Sequence, residues 1–272
     1  MNTWRRYIRL YRVLIAQFFK TIVQSKVDFL LGLFGFFFTE ITGILFLYLV
    51  FEQIPDLQGW TLEQLIFIYG FAQIPRGIDH LFTDNIWMIS WRMIISGDFD
   101  RYMLRPMNLL FQVISEKLQP DALGELLIGT ILVVRAVIKG VVQPDGLHVL
   151  MFFVSVLAGA LIYTAIKLLF ASFAFWVKMS GPFLQVAYNL ADFAKYPTEI
   201  YAKGIRFLIT WVIPFAFVAY LPASYFLGKD TFFGNFNGVG LIGMEWCIAI
   251  VFLIIAYAVF QRGTQIYESA GN

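Results

Sequence analysis

The 272-residue chain is 60% hydrophobic and 18% aromatic, and only 14% of it is charged. Soluble domains carry about 25% charged residues, so a protein wetted on all sides is excluded. The net charge of +2 gives no strong pull toward a polyanion, and no nucleic-acid partner is expected. The apolar runs are continuous rather than alternating and are long enough to cross a bilayer. Backbone amides in hydrocarbon must be satisfied within their own segment, so the runs predict helices and not a barrel.

In residues 3–22, Trp4, Ile8, Tyr11, Ile15, Phe18 and Ile22 recur at helical spacing, and Arg5, Arg6, Arg9, Arg12 and Lys20 fall largely off that stripe. This pattern predicts an amphipathic helix lying in the interface plane, its cations toward lipid headgroups. A first span is expected over 27–51, with Asp28 at its start and Glu40 near its middle. A second span, 60–78, opens at Trp60, and Pro75 is expected to bend or end it near the inner surface.

The connection 82–119 contains the most charged run of the chain, Gly97 to Pro106, within a coupling region at 90–107. Its charges flank Phe99, Tyr102, Met103 and Leu104. That mixture predicts a short helix across the membrane face, offered to a soluble partner. A third span, 121–142, carries Glu125, Arg135 and Lys139. The fourth, 148–177, is about 45 Å long as a helix, and Lys167 is expected to snorkel to the inner headgroups. In the second connection, 178–203, Phe183, Val186, Leu190 and Phe193 mark one face of a short surface helix.

A fifth span, 204–221, contains Pro214. Residues 223–240 set Tyr225, Phe226, Phe232, Phe233 and Phe236 among glycines, which predicts short helices dipping into the outer leaflet. The sixth span is 241–260. The reading is an all-α integral membrane protein: one transmembrane domain of six helices, with an interfacial helix before it.

Of the 20 Lys and Arg residues, only Lys229 falls clearly on one side, with Arg135, Lys139 and Lys167 inside spans. All others share the opposite side, which the positive-inside rule makes the cytoplasm, together with both termini. A cell membrane location follows. No phosphate-cradling Gly-x-x-x-x-Gly-Lys-Ser/Thr loop, nucleophile elbow, or metal-spaced Cys/His set appears, and Cys247 is the single cysteine. His80 and His148 each stand alone and are read as structural.

Glu40 and Arg135 lie at similar depth, about 20 Å from the inner start of their spans. They predict an ion pair between packed helices, a substrate contact or a proton relay. The phenylalanines at 34, 36, 37 and 38 are read as packing or lipid-facing residues, or as the lining of an apolar path.

The chain resembles the permeases of ABC-2-type ABC exporters, most closely a bacterial subgroup of short permeases mostly of unassigned substrate. The resemblance rests on Pro75-Arg76-Gly77-Ile78-Asp79, on Gly97-Asp98-Phe99-Asp100 through Leu104-Arg105-Pro106, and on Pro120-Asp121-Ala122-Leu123-Gly124-Glu125. Tyr196-Pro197, Lys203 to Phe207, Pro214 to Val218 and Pro222-Ala223 complete it.

The resemblance implies the architecture of a type V exporter and two copies of a separate cytosolic ATPase that carry ATP and Mg; this chain itself holds no cofactor and is not an enzyme. It also implies a second permease, with a heterodimer favoured over a homodimer. Residues 97–106 would be the coupling helix: Asp98, Asp100, Arg101 and Arg105 make polar contacts, and Phe99 and Tyr102 fill the ATPase cleft. The expected function is export of a lipid, drug or hydrophobic peptide by alternating access. The alternative is an ion-gradient-driven transporter working through Glu40, Arg135 and Glu125. A membrane enzyme is the third class, for which no reactive constellation is visible.

Overall fold

The computed structural model describes residues 26–230 and 237–268, with Arg12, Ala16 and Lys20 as single helical positions. The rest of the expected interfacial helix, and Phe232, Phe233 and Phe236, lie outside the described residues. The described chain runs α1 (Lys26–Gln53), α2 (Leu62–Thr83), α3 (Asp100–Met103), α4 (Leu109–Glu116), α5 (Leu123–Ile138) and α6 (Gly146–Ser172). It continues with α7 (Ala174–Val177), α8 (Gly181–Asn189), α9 (Lys203–Phe207), α10 (Tyr220–Phe226) and α11 (Gly238–Ile266). Short 3-10 and π turns join them, and no strand occurs among the described residues.

Among the described residues three helices are long and apolar enough to cross a membrane: Phe29–Gln53, Gly146–Val177 and Gly238–Ile266. A fourth stretch passes the same measure as a bent pair, Lys203–Val212 and Phe215–Phe226, inclined at 74°. The break falls at Ile213-Pro214. Ile213 sits at φ −126° and ψ 89°, as expected of a residue that a following proline drives out of the α region.

The helices at the other two expected spans differ in kind. α5 has 16 residues, about 24 Å, less than the ~30 Å of a hydrocarbon core. α2 carries Glu63, Arg76, Asp79 and His80.

α2 is the centre of the bundle. It starts at a capping box, in which Thr61 N–H donates to Gln64 Oε1 at 3.0 Å and Gln64 N–H to Thr61 Oγ1 at 3.4 Å. Every residue from Leu65 to Gln73 is buried, which is how a helix apolar on all sides must sit. Its approach to α5 requires small residues on both helices: a Cβ on Gly129 would stand 2.8 Å from the Gly70 carbonyl oxygen.

Pro75 does not end α2, which runs on to Thr83. The expected break is absent because α6 packs directly on the ring; a Cβ on Gly159 would lie 3.1 Å from Pro75 Cβ. Packing against a neighbouring helix favours the continued helix over the lost hydrogen bond.

α1 is peripheral. Phe34, Phe38, Ile41, Leu45, Phe46 and Leu49 all face outward, while Glu40 and Leu47 on the same helix are buried. An outward face this apolar suits hydrocarbon, and together with the three long helices it marks a membrane protein. α6 and α11 pack against each other more extensively than any other pair of described helices.

Candidate functional site

Two groups of charged residues lie at one end of the bundle, and they differ in what surrounds them. The first is the stretch 97–106. Gly97 takes φ +74°, a conformation that side chains with a Cβ rarely adopt, and lets the chain turn so that Asp100 N–H reaches Gly97 O at 3.1 Å. One helical turn follows, Asp100–Met103, shorter than the helix expected. Downstream, Asn108 caps α4 by accepting from Phe111 N–H at 2.9 Å. Gln112 Nε2 ties α4 back by donating to the carbonyls of Tyr102 and Met107, both at 3.1 Å.

The charges here are at the surface. Arg92 pairs with Asp98 at 3.3 Å and Arg101 with Glu116 at 2.6 Å, and exposed pairs of this kind contribute about 0.2–1 kcal/mol each. With Lys117 they line an open pocket of about 420 Å³. Met103, Leu104 and Arg105 project outward, and Leu104 is 84% exposed.

Phe99 and Tyr102 do not project. Both are buried, and the Tyr102 hydroxyl donates to Glu116. The expectation that they fill a partner's cleft is corrected: their rings are consumed in this chain's own packing, and the exposed apolar side chains of the turn are Met103 and Leu104.

The second group lies behind this turn. Asp79 of α2 is fully buried and meets Lys167 Nζ of α6 at 2.7 Å. It also accepts from Tyr188 of α8 at 2.5 Å, Thr164 of α6 at 2.8 Å and Thr83 at 2.6 Å. Burial, and then the Asp79 carboxylate, push the Tyr188 phenol well above its ordinary range and keep it an O–H donor.

Asp84 adds a longer contact to Lys167, 3.6 Å. Snorkelling of Lys167 is therefore corrected: the amine is wholly enclosed because two carboxylates await it there. Beside this pair, Glu125 of α5 lies 3.0 Å from His80 Nδ1 and 3.5 Å from Arg76 Nε, and Arg76 reaches Asp192 at 3.2 Å. Lys195 closes the chain on Asp192 at 3.0 Å. Arg76, His80, Asp84 and Tyr188 line a second open pocket of about 270 Å³ with Phe36 and Trp87. Charge-assisted hydrogen bonds thus join α2, α5, α6, α8 and the turn after α8.

The Glu40–Arg135 ion pair does not form. Glu40 accepts from Gln73 Nε2. Arg135 instead meets Glu63 at 2.9 Å and the Tyr48 hydroxyl at 2.9 Å, and Lys139 shares Glu63 at 2.6 Å. Arg135 points toward the start of α2, where Glu63 lies in its first turn, so equal depth did not make Glu40 and Arg135 neighbours. Glu63 also holds Lys139, for which the sequence offered no partner. Glu40, Arg135 and Glu125 meet separate residues along α2 (Gln73, Glu63, and Arg76 with His80), so no direct contact joins the three groups of the ion-driven alternative among the described residues.

Two buried acids were not singled out from sequence as site residues, Asp79 of the cluster and one apart from it. Glu245 of α11 is buried and accepts from Ser155 Oγ at 2.7 Å. It is the one acid in its apolar run, a signal by itself. Asp79 could have been found from spacing: Arg76, Asp79, His80 and Thr83 recur at three and four residues, a polar stripe on an otherwise apolar helix.

No curated protein matches the chain. The family profile described as ABC-2 family transporter protein matches residues 37–271, taking in the buried cluster and the exposed turn alike. With that span matched, the chain is a membrane transport component and belongs to the ABC-2 transporter family.

Proposed function

We propose that the chain is the permease subunit of an ATP-driven exporter in the bacterial inner membrane, with six spans and both termini in the cytoplasm. Two copies of a cytosolic ATPase, binding ATP and Mg, dock beneath it. A second permease, a different chain rather than a copy, completes the path. Closure of the ATPase pair pushes on residues 97–106, and the two bundles rock from inward- to outward-open. The cargo is a lipid, drug or hydrophobic peptide, in keeping with the apolar faces of α1 and α11. Here α2 acts as the second span, shielded by its neighbours, and α5 as the third, with Leu127, Ile131 and Val134 facing outward.

The observation that carries this reading is the turn itself. Within a chain matched to a transporter family, it presents Leu104 at 84% exposure among Asp98, Asp100, Arg101 and Arg105. An apolar tip ringed by both signs of charge fits a soluble protein partner better than lipid.

The test is the double variant Asp100→Ala/Arg101→Ala, purified from membranes in mild detergent. Expected are normal insertion and helix content, with loss of transport and of permease-stimulated ATP hydrolysis in reconstituted vesicles. Coupling equal to that of the unmodified protein would sink the docking role.

A further inference from the structure

Phe99 is the centre of a ring cluster that joins the exposed turn to two other parts of the bundle. Its ring centroid lies 5.2 Å from Phe175 of α7, and 6.5 Å and 5.3 Å from Phe260 and Tyr267 at the end of α11. Phe175 itself contacts Phe260 at 5.8 Å and Tyr267 at 6.0 Å. α11 approaches as closely as a glycine permits, since a Cβ on Gly263 would fall 2.2 Å from Phe175 Cδ2.

Two further ties sit on either side. Asn108 Nδ2 donates to the Tyr257 hydroxyl of α11 at 3.0 Å. Upstream, Ser180 N–H donates to Ser90 O at 3.0 Å, and Gly181 lies under the Trp91 ring. Farther along, α6 and α11 are fastened by Ser155 to Glu245 at 2.7 Å and by Trp246 Nε1 to Val154 O at 3.2 Å.

Interlocked aromatic edges have discrete packing arrangements and deform little. Of the polar ties of the turn to α4, the ion pair of Arg101 with Glu116 is exposed and weaker, while those of Gln112 are buried. We propose that the turn 97–106, α6–α7 and α11 move as one body, with Phe99 as the positioning residue that carries a push at the Leu104 tip into α11. A load applied at the turn then reaches the far end of the molecule directly through α11, while α2 is coupled to the same body by the Asp79–Lys167 pair on α6. This proposal rests on the reading of the turn as the ATPase dock.

The experiment uses the full chain with its co-purified ATPase, in a Cys247→Ala background. A spin label at Val239→Cys, on the exposed outer end of α11, reports motion on addition of Mg-ATP and vanadate. In Phe99→Ala, ATPase binding and hydrolysis are expected to persist while the nucleotide-dependent label signal is lost, and Phe99→Trp should restore it. An unchanged signal in Phe99→Ala overturns the proposal.

Should Phe99→Ala fail to insert, Asn108→Cys/Tyr257→Cys closed by a short cross-linker decides. One rigid body keeps the full signal when locked, and loss of the signal on locking overturns the idea. Failure of the docking reading looks different: the unmodified chain would then show no nucleotide-dependent signal and no bound ATPase.

Discussion

Lys167 and Arg101 each hold a carboxylate at nearly the same distance, 2.7 Å to Asp79 and 2.6 Å to Glu116. The first pair has no side-chain exposure, whereas the second is 53% and 36% exposed. Distance therefore says little about what a charge pair does. In water the attraction is screened and the partners exchange readily, so the Arg101 pair leaves both groups available to another protein. Out of water the same contact is harder to give up, because no solvent replaces a lost partner and the amine keeps only the longer contact to Asp84. The buried cluster fixes helices to one another; the exposed turn keeps its charges for use.

The largest test of that contrast removes one partner from each pair. Asp79→Ala leaves Lys167 with Asp84 at 3.6 Å, and the enclosed amine should cost about 3–5 kcal/mol of stability. Arg101→Ala, which leaves Glu116 accepting from Tyr102, should cost within about 1 kcal/mol. Thermal unfolding in detergent compares them, and equal losses would erase the distinction. Asp79→Leu/Lys167→Met should regain much of the loss, since removing both buried charges leaves none unpaired.

An intermediate case sharpens the scale. Glu63 serves both Arg135 and Lys139 from a position about a quarter exposed, 29%. Glu63→Gln should cost about 1–2 kcal/mol, between the two extremes, and should weaken further in high salt. A loss as large as that of Asp79→Ala would show that exposure is not the controlling variable.

The smallest effect is at the turn that precedes α6. Asp145 accepts from His148 N–H at 2.8 Å at the start of α6. That hydrogen bond and the one from the His148 ring lower its carboxyl below the ordinary aspartate range. A depressed native pKa means the unfolded state takes up the proton first. The stabilisation is thus present above about pH 4 and lost as pH falls through the lower native value. Asn caps the same helix without titrating. Melting temperatures of the native protein and Asp145→Asn should differ slightly at neutral pH and converge in acid.

Much of the element order was legible because lipid imposes long apolar runs. The helices Lys26–Gln53, Gly146–Ser172 and Gly238–Ile266 start and stop near the expected spans for that reason. The exposed turn was legible as well, through its density of charge. The individual side chains in it were not. Phe99 and Leu104 are both apolar residues among charges, and no spacing rule over so few residues separates the ring that points inward from the tip that points out. Pro75 does not end its helix, because the close packing of neighbours such as Gly159 of α6 against its ring is a tertiary feature that local sequence does not carry.

By itself the sequence determined the class of environment, the helical architecture and the stretch offered to water, because each follows from local composition and the cost of an unsatisfied amide in hydrocarbon. Only the tertiary structure decided which charge meets which: Glu63 with Arg135 across 72 residues, Asp79 with Lys167, Phe99 with Phe260. The reason is geometric. Depth along a helix is read from residue count, but partnership also needs the rotation of each helix and the choice of neighbours, and those are set by close packing at positions such as Gly70 and Gly129.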